Sequence, residues 1–218
     1  MIIVEFSEAG KADTMTKRDI VLDTLLRIAA ALGYSVFVYR IVSAQLQTPN
    51  IVLTTLLIAE TLALGLIIFS RRTDTRVYSL SAMTSTFAAT FYFLFIQLEG
   101  GTVLVPRWLS EALILSGMGL QVAAKICLGR NFGLLPALRG VVTNGPYRLV
   151  RHPIYLGYFV THVGYLLNVF SIWNLSILTL LYIFQFIRMI NEEKVLMQSA
   201  AYREYMARVS KRFIPFLA

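Results

Sequence analysis

Apolar residues in this chain fall into long unbroken runs, without the two-residue alternation of a half-buried strand. Six runs stand out, at about 22–43, 51–70, 78–98, 108–128, 154–169 and 172–190. Crossing roughly 30 Å of hydrocarbon takes about 20 helical residues, and backbone polar groups cannot be left bare in lipid, so runs of this kind predict membrane helices. The fifth run, at about 16 residues, is short for a full span, and only a brief link around Asn168 to Trp173 parts it from the sixth. These two predict a helical hairpin that enters and returns. The expectation is an all-α integral membrane protein with about six membrane segments. A C-terminal helix and a polar rim, 129–153 and 188–218, lie outside the bilayer. No repeat or flexible linker divides the chain, so 1–218 reads as one domain, with membrane helices over 1–128 and a second region over 129–218 that carries the rim.

The charges follow the same alternation. If successive runs cross the membrane in turn, one side carries Lys11, Lys17, Arg18, Arg27, Arg71, Arg72, Arg76, Lys125, Arg130, Arg139, Arg148, Arg151, Arg188, Lys194, Arg203, Arg208, Lys211 and Arg212, and the other only Arg40 and Arg107. Basic residues are retained on the cytoplasmic side. Both termini and the rim are therefore expected in the cytosol, facing the inner membrane if the chain is bacterial. The net charge of +8 suggests nucleic acid in a soluble protein, but here the basic residues are flanks of membrane spans. Charged residues make up only 15% of the chain, against about a quarter in average globular domains. One cysteine, Cys127, excludes an internal disulfide, and no CxxC, Cys/His cluster or HExxH points to a metal.

Polar groups inside apolar runs need a reason. Asp23 and Arg27 are spaced to pair on one helix face near the membrane boundary. Glu60 falls mid-span in the second run and His162 in the fifth, where helix packing and a satisfied buried histidine are the simpler readings. The stretch 129–157, GRNFGLLPALRGVVTNGPYRLVRHPIYLG, is different, because three prolines and five glycines are set among arginines and aromatics. Asn144-Gly145-Pro146 predicts a turn. Pro153 suits the first turn of a helix and holds His152 outside it. His152 then stands at a helix mouth whose free N–H groups attract an anion. A second candidate stretch ends the sixth run, where Arg188 and Glu192 are i,i+4 and share a face. A guanidinium there can grip a carboxylate or phosphate in a bidentate manner. Glu192 can accept hydrogen bonds from an ammonium or a ribose. Together the two stretches predict a pocket with anion-binding parts, aromatic walls and an acid.

The order of these residues resembles a known family. Gly129, Asn131 and Phe132; Val141, Thr143, Gly145, Pro146 and Tyr147; Arg151, His152, Pro153, Tyr155 and Gly157; Glu192 and Glu193; and Tyr202, Tyr205 and Val209 are similar to the isoprenylcysteine carboxyl methyltransferase family. That family sits within a wider group of integral-membrane methyltransferases that includes phospholipid N-methyltransferases. The resemblance covers about 129–215. It implies S-adenosylmethionine as methyl donor, contacted by Arg139, Gly140, Val141, Val142, Tyr147, His152, Pro153, Ile154, Tyr155 and Glu192. Arg188 falls where the family places an arginine facing the methyl acceptor, so Arg188 and Glu192 are the expected catalytic pair. The implied acceptor is lipophilic, a prenylated or other lipid carboxylate above all. A phospholipid amine or a small thiol remains open on the same scaffold, as does a non-catalytic channel or assembly protein, which predicts no cofactor binding.

Overall fold

A computed structural model describes residues 17–47, 49, 51–71, 79–92, 95–97, 100–133 and 135–213, without the side chains of residues 17–19, 22, 23, 26 and 30. The expected Asp23–Arg27 pair therefore lies outside the described residues. Among the described residues there are seven α-helices and no strand: α1 (Lys17–Gln47), α2 (Ile51–Ile68), α3 (Leu80–Phe91), α4 (Arg107–Leu128), α5 (Pro153–Asn168), α6 (Ile172–Leu196) and α7 (Ala200–Arg208). Among the described residues, four stretches are long and apolar enough to cross a membrane, at Arg27–Gln47, Ile51–Ile68, Arg107–Asn131 and Ile172–Leu196. Their outer faces are apolar, as Leu32, Val36, Ile58 and Ile183, all exposed, illustrate. An integral membrane protein follows.

Two of the six expected segments are shorter than any of these four. Helix α3 has 12 residues and α5 has 16, about 18 and 24 Å at 1.5 Å per residue. The run 78–98 does not continue as one helix because the start of α6 captures its carbonyls. The Trp173 indole donates to the Phe95 carbonyl at 2.7 Å, and Asn174 Nδ2 donates to the Gln97 carbonyl at 3.0 Å while its Oδ1 accepts from the Gln97 N–H. An α-helix needs those carbonyls for its own ladder.

Helices α4 and α5 pack most closely, antiparallel, with backbone against backbone. A Cβ added to Gly117 would fall 2.6 Å from the Gly157 carbonyl, and one added to Gly157 would fall 2.7 Å from the Gly117 carbonyl. Small residues let membrane helices approach in this way. Helix α6 packs instead on α3. Thus α5 and α6, joined by only three residues, form a splayed hairpin with an open apolar cleft lined by Phe159, Val163, Leu166, Leu178, Ile183 and Phe186. At the other end of the bundle, Arg27 donates to the carbonyls of Ile67, Ile68 and Ser70 and so closes the C-terminus of α2. The early part of α1, the end of α2, the 129–152 loop and the end of α6 gather there.

Candidate functional site

The loop after α4 turns on glycine. Gly129, Gly140 and Gly145 hold φ of 51°, 147° and 56°, a region that side chains resist. At Gly145 the chain enters a short 3₁₀ turn, Gly145–Arg148, as the Asn-Gly-Pro signal predicts. The turn buries Tyr147, whose carbonyl accepts a 2.7 Å hydrogen bond from the Tyr205 hydroxyl on α7. Burial, and then the nearby Glu192 carboxylate, pushes the Tyr147 hydroxyl well above its ordinary range, so it stays a neutral phenol. Pro153 opens α5 and His152 precedes it with non-helical angles. The backbone N–H groups of Arg151 and His152 donate to the carbonyls of Lys211 and Arg212, each at 2.9 Å, so the chain after α7 straps this corner.

The two glutamates that end α6 have separate partners. Glu192 Oε2 accepts a 3.0 Å hydrogen bond from the Tyr155 hydroxyl. Arg188, one turn earlier, holds its guanidinium 5.8 Å from the centre of the Tyr155 ring. Glu193 turns the other way. Its Oε1 lies 3.1 Å from His152 Nε2 and 3.1 Å from Arg151 Nε, and its Oε2 lies 2.9 Å from an Arg212 nitrogen. The anion beside His152 is therefore a carboxylate of the chain itself.

A cavity joins these parts. Arg139, Gly140, Val141, Val142, Tyr147, His152, Ile154, Tyr155, Arg188 and Glu192 all line it; of the donor and acceptor contacts that the resemblance implies, Pro153 alone does not. Arg139 does so while donating to the Arg71 and Leu135 carbonyls, with its guanidinium where a Gly133 side chain would stand. The sequence reading missed Tyr34 from α1, Ala89 and Thr90 from α3, and Gln185 from α6. Gln185 was findable, since 185, 188 and 192 follow helical spacing on one face. Tyr34 and Thr90 carry no local signal. His162 is satisfied as expected, its two ring nitrogens paired with the hydroxyls of Tyr92 at 2.6 Å and Tyr182 at 2.7 Å.

Residues 105–204 match the phospholipid methyltransferase family. This is the wider group of integral-membrane methyltransferases to which the motif pattern pointed, and the match spans α4 to α7 and with them most of the cavity wall. It supports a membrane methyltransferase. Tyr34 and Glu60, on α1 and α2, stand outside the matched stretch. No curated protein matches the chain.

Proposed function

We propose that the protein transfers a methyl group from S-adenosylmethionine to a lipid-like acceptor. The observation that carries this reading is the Tyr155–Glu192 hydrogen bond, because it closes two stretches far apart in sequence around one cavity. The chemistry of the lining suits the donor. Asn131 Oδ1 and the Tyr202 hydroxyl are buried without a hydrogen-bond partner and reach this cavity, as orphans that a ligand would satisfy. Gly140, with its left-handed backbone beside Asn131, keeps the wall open where a Cβ would meet Asn131 Oδ1 at 3.0 Å. Leu128, Phe132, Ile154 and Leu196 offer apolar walls to an adenine. Glu192 is placed to accept from an ammonium or ribose.

A bound sulfonium supplies an activated methyl group, so the chain's own residues need only bind, orient and exclude water. Arg188 orients the acceptor by an anionic group, either a reacting carboxylate or a phosphate nearby. The rim is assigned to the cytosol by the basic flanks, and the cleft between α5 and α6 gives an acceptor a sideways entry. Titrating S-adenosylmethionine into the purified protein in detergent, by calorimetry, tests the reading. Saturable binding that falls at least tenfold in Glu192→Ala supports it, and no heat of binding to the wild type ends it.

A further inference from the structure

Gln185 ends the polar part of the α6 face that carries Arg188 and Glu192. It stands about 10 Å deeper than Glu192 at 1.5 Å per residue, and one turn further on Leu181 and Leu178 are buried with Ala89 of α3. Gln185 is 3% exposed and borders two spaces, the donor cavity and a second chamber around Glu60 on α2. Tyr34, Ala89, Thr90 and Tyr158 complete the wall that the two share. Gln185 Oε1 is buried with no hydrogen-bond donor among the described residues. Polar neighbours are committed elsewhere. The Thr90 hydroxyl donates to the Thr86 carbonyl at 2.7 Å, Gln121 donates to Thr161 at 3.1 Å, and both nitrogens of His162 are taken by tyrosines.

A carboxamide in a membrane helix ordinarily hydrogen-bonds to a neighbouring helix, and a buried acceptor left unmet bears its full desolvation cost. Packing gives no reason for an oxygen at this position, since leucine or methionine would fill the volume without that cost. The cavity supplies a reason. At its rim end, Asn131 Oδ1 and the Tyr202 hydroxyl suit the hydrogen-bonding groups of the donor. The remaining part of that molecule is a positively charged sulfur bearing the methyl group to be transferred. A sulfonium has no N–H or O–H. It offers a full charge and the C–H bonds that this charge polarises. An amide oxygen answers both, by an ion–dipole attraction that a low dielectric strengthens and by C–H···O contacts. A carboxylate here would attract the charge too, but it would also compete for the methyl as a nucleophile. The neutral amide does not.

We propose that Gln185 Oε1 holds the methylsulfonium of the donor at the wall between the two spaces. This rests on the methyltransferase reading above. Gln185 thereby tells donor from spent product, because S-adenosylhomocysteine carries neither the methyl nor the charge. Once the methyl is bonded to the acceptor and the electrons of its former bond have stayed on sulfur, Gln185 faces a neutral thioether. The product is held less tightly than the donor for that reason.

The test is calorimetric titration of S-adenosylmethionine and, separately, S-adenosylhomocysteine into the detergent-solubilised wild type, Gln185→Leu and Gln185→Glu. In Gln185→Leu the expected result is a loss of about fivefold for the donor, the scale of one or two C–H···O contacts, with the product unchanged within twofold. Gln185→Glu keeps an oxygen at the same reach and restores the preference for the donor. Should Gln185→Leu fail to fold, Gln185→Met keeps the length of the side chain without its oxygen and shows the same selective loss. Equal losses for both ligands would give Gln185 a structural role only, and unchanged affinity for both would take it out of the donor site. Either result, or a Gln185→Glu that behaves as Gln185→Leu does, overturns the proposal and leaves the methyltransferase reading standing. Absence of donor binding in the wild type overturns that reading instead.

Discussion

His152 Nε2 and Glu193 Oε1 stand 3.1 Å apart, with neither side chain more than 5% exposed. The same carboxylate holds Arg151 and Arg212, so one residue fastens the corner at the start of α5 to the segment that follows α7. Glu193→Gln keeps the shape and removes the charge. Breaking one side of a buried ionic cluster costs about 3–5 kcal/mol, and the part-exposed Arg212 sets the expectation near the lower figure, about 3 kcal/mol. Denaturant unfolding in detergent measures it, and an unshifted midpoint would show that the cluster does not fasten the strap.

Tyr155→Phe removes a single hydroxyl from the cavity. Glu192 then loses the donor that aims it, and a net hydrogen bond of about 0.5–1.5 kcal/mol translates to roughly a 2- to 12-fold weaker hold on S-adenosylmethionine. Calorimetry reads this directly, and affinity equal to wild type would separate Tyr155 from the donor site.

Arg188→Ala should behave in the opposite way. If Arg188 faces the acceptor, donor affinity stays within about twofold while turnover falls at least tenfold, a loss of transition-state stabilisation of about 1.4 kcal/mol or more. Turnover unchanged by the substitution would take Arg188 out of the reaction.

Gly157→Ala probes the tightest helix contact. The new methyl would meet the Gly117 carbonyl at 2.7 Å and Gln121 at 2.6 Å. Overpacking of this kind costs about 1–3 kcal/mol, which thermal melting in detergent should register as a lowered midpoint. A melt equal to wild type would mean that α4 and α5 can part without penalty.

His162→Phe fills the same space without ring nitrogens. It removes the hydrogen bonds that His162 makes with the hydroxyls of Tyr92 and Tyr182, at about 0.5–1.5 kcal/mol for each. Stability is expected to fall while donor affinity holds within twofold, and a weakened donor site with unchanged stability would assign His162 a different task.

How much of this was visible in the sequence depends on the range of the signal. The turn at Gly145, the helix start at Pro153 and the shared face of Arg188 and Glu192 are local, set by backbone preferences and helical spacing within a few residues, and the structure has each of them. The break in the 78–98 run is not local, because Trp173 and Asn174 cause it from about 80 positions away. Glu193 illustrates the same limit on a smaller scale. The sequence shows two adjacent glutamates but not that one serves Tyr155 while its neighbour serves His152 and two arginines, since consecutive helix positions diverge by about 100° and only tertiary packing says what each meets. Tyr34, Thr90 and the chamber around Glu60 depend on how α1, α2 and α3 lean against the matched region, and no spacing within those helices encodes that.

The splayed hairpin has a kinetic corollary. If the acceptor enters between Ile183 and Phe186, as proposed above, it arrives by two-dimensional diffusion within the membrane. Rates would then follow the mole fraction of acceptor among the surrounding lipids and be indifferent to bulk volume. Diluting the acceptor with inert lipid would slow the protein, and adding buffer to the same vesicles would not.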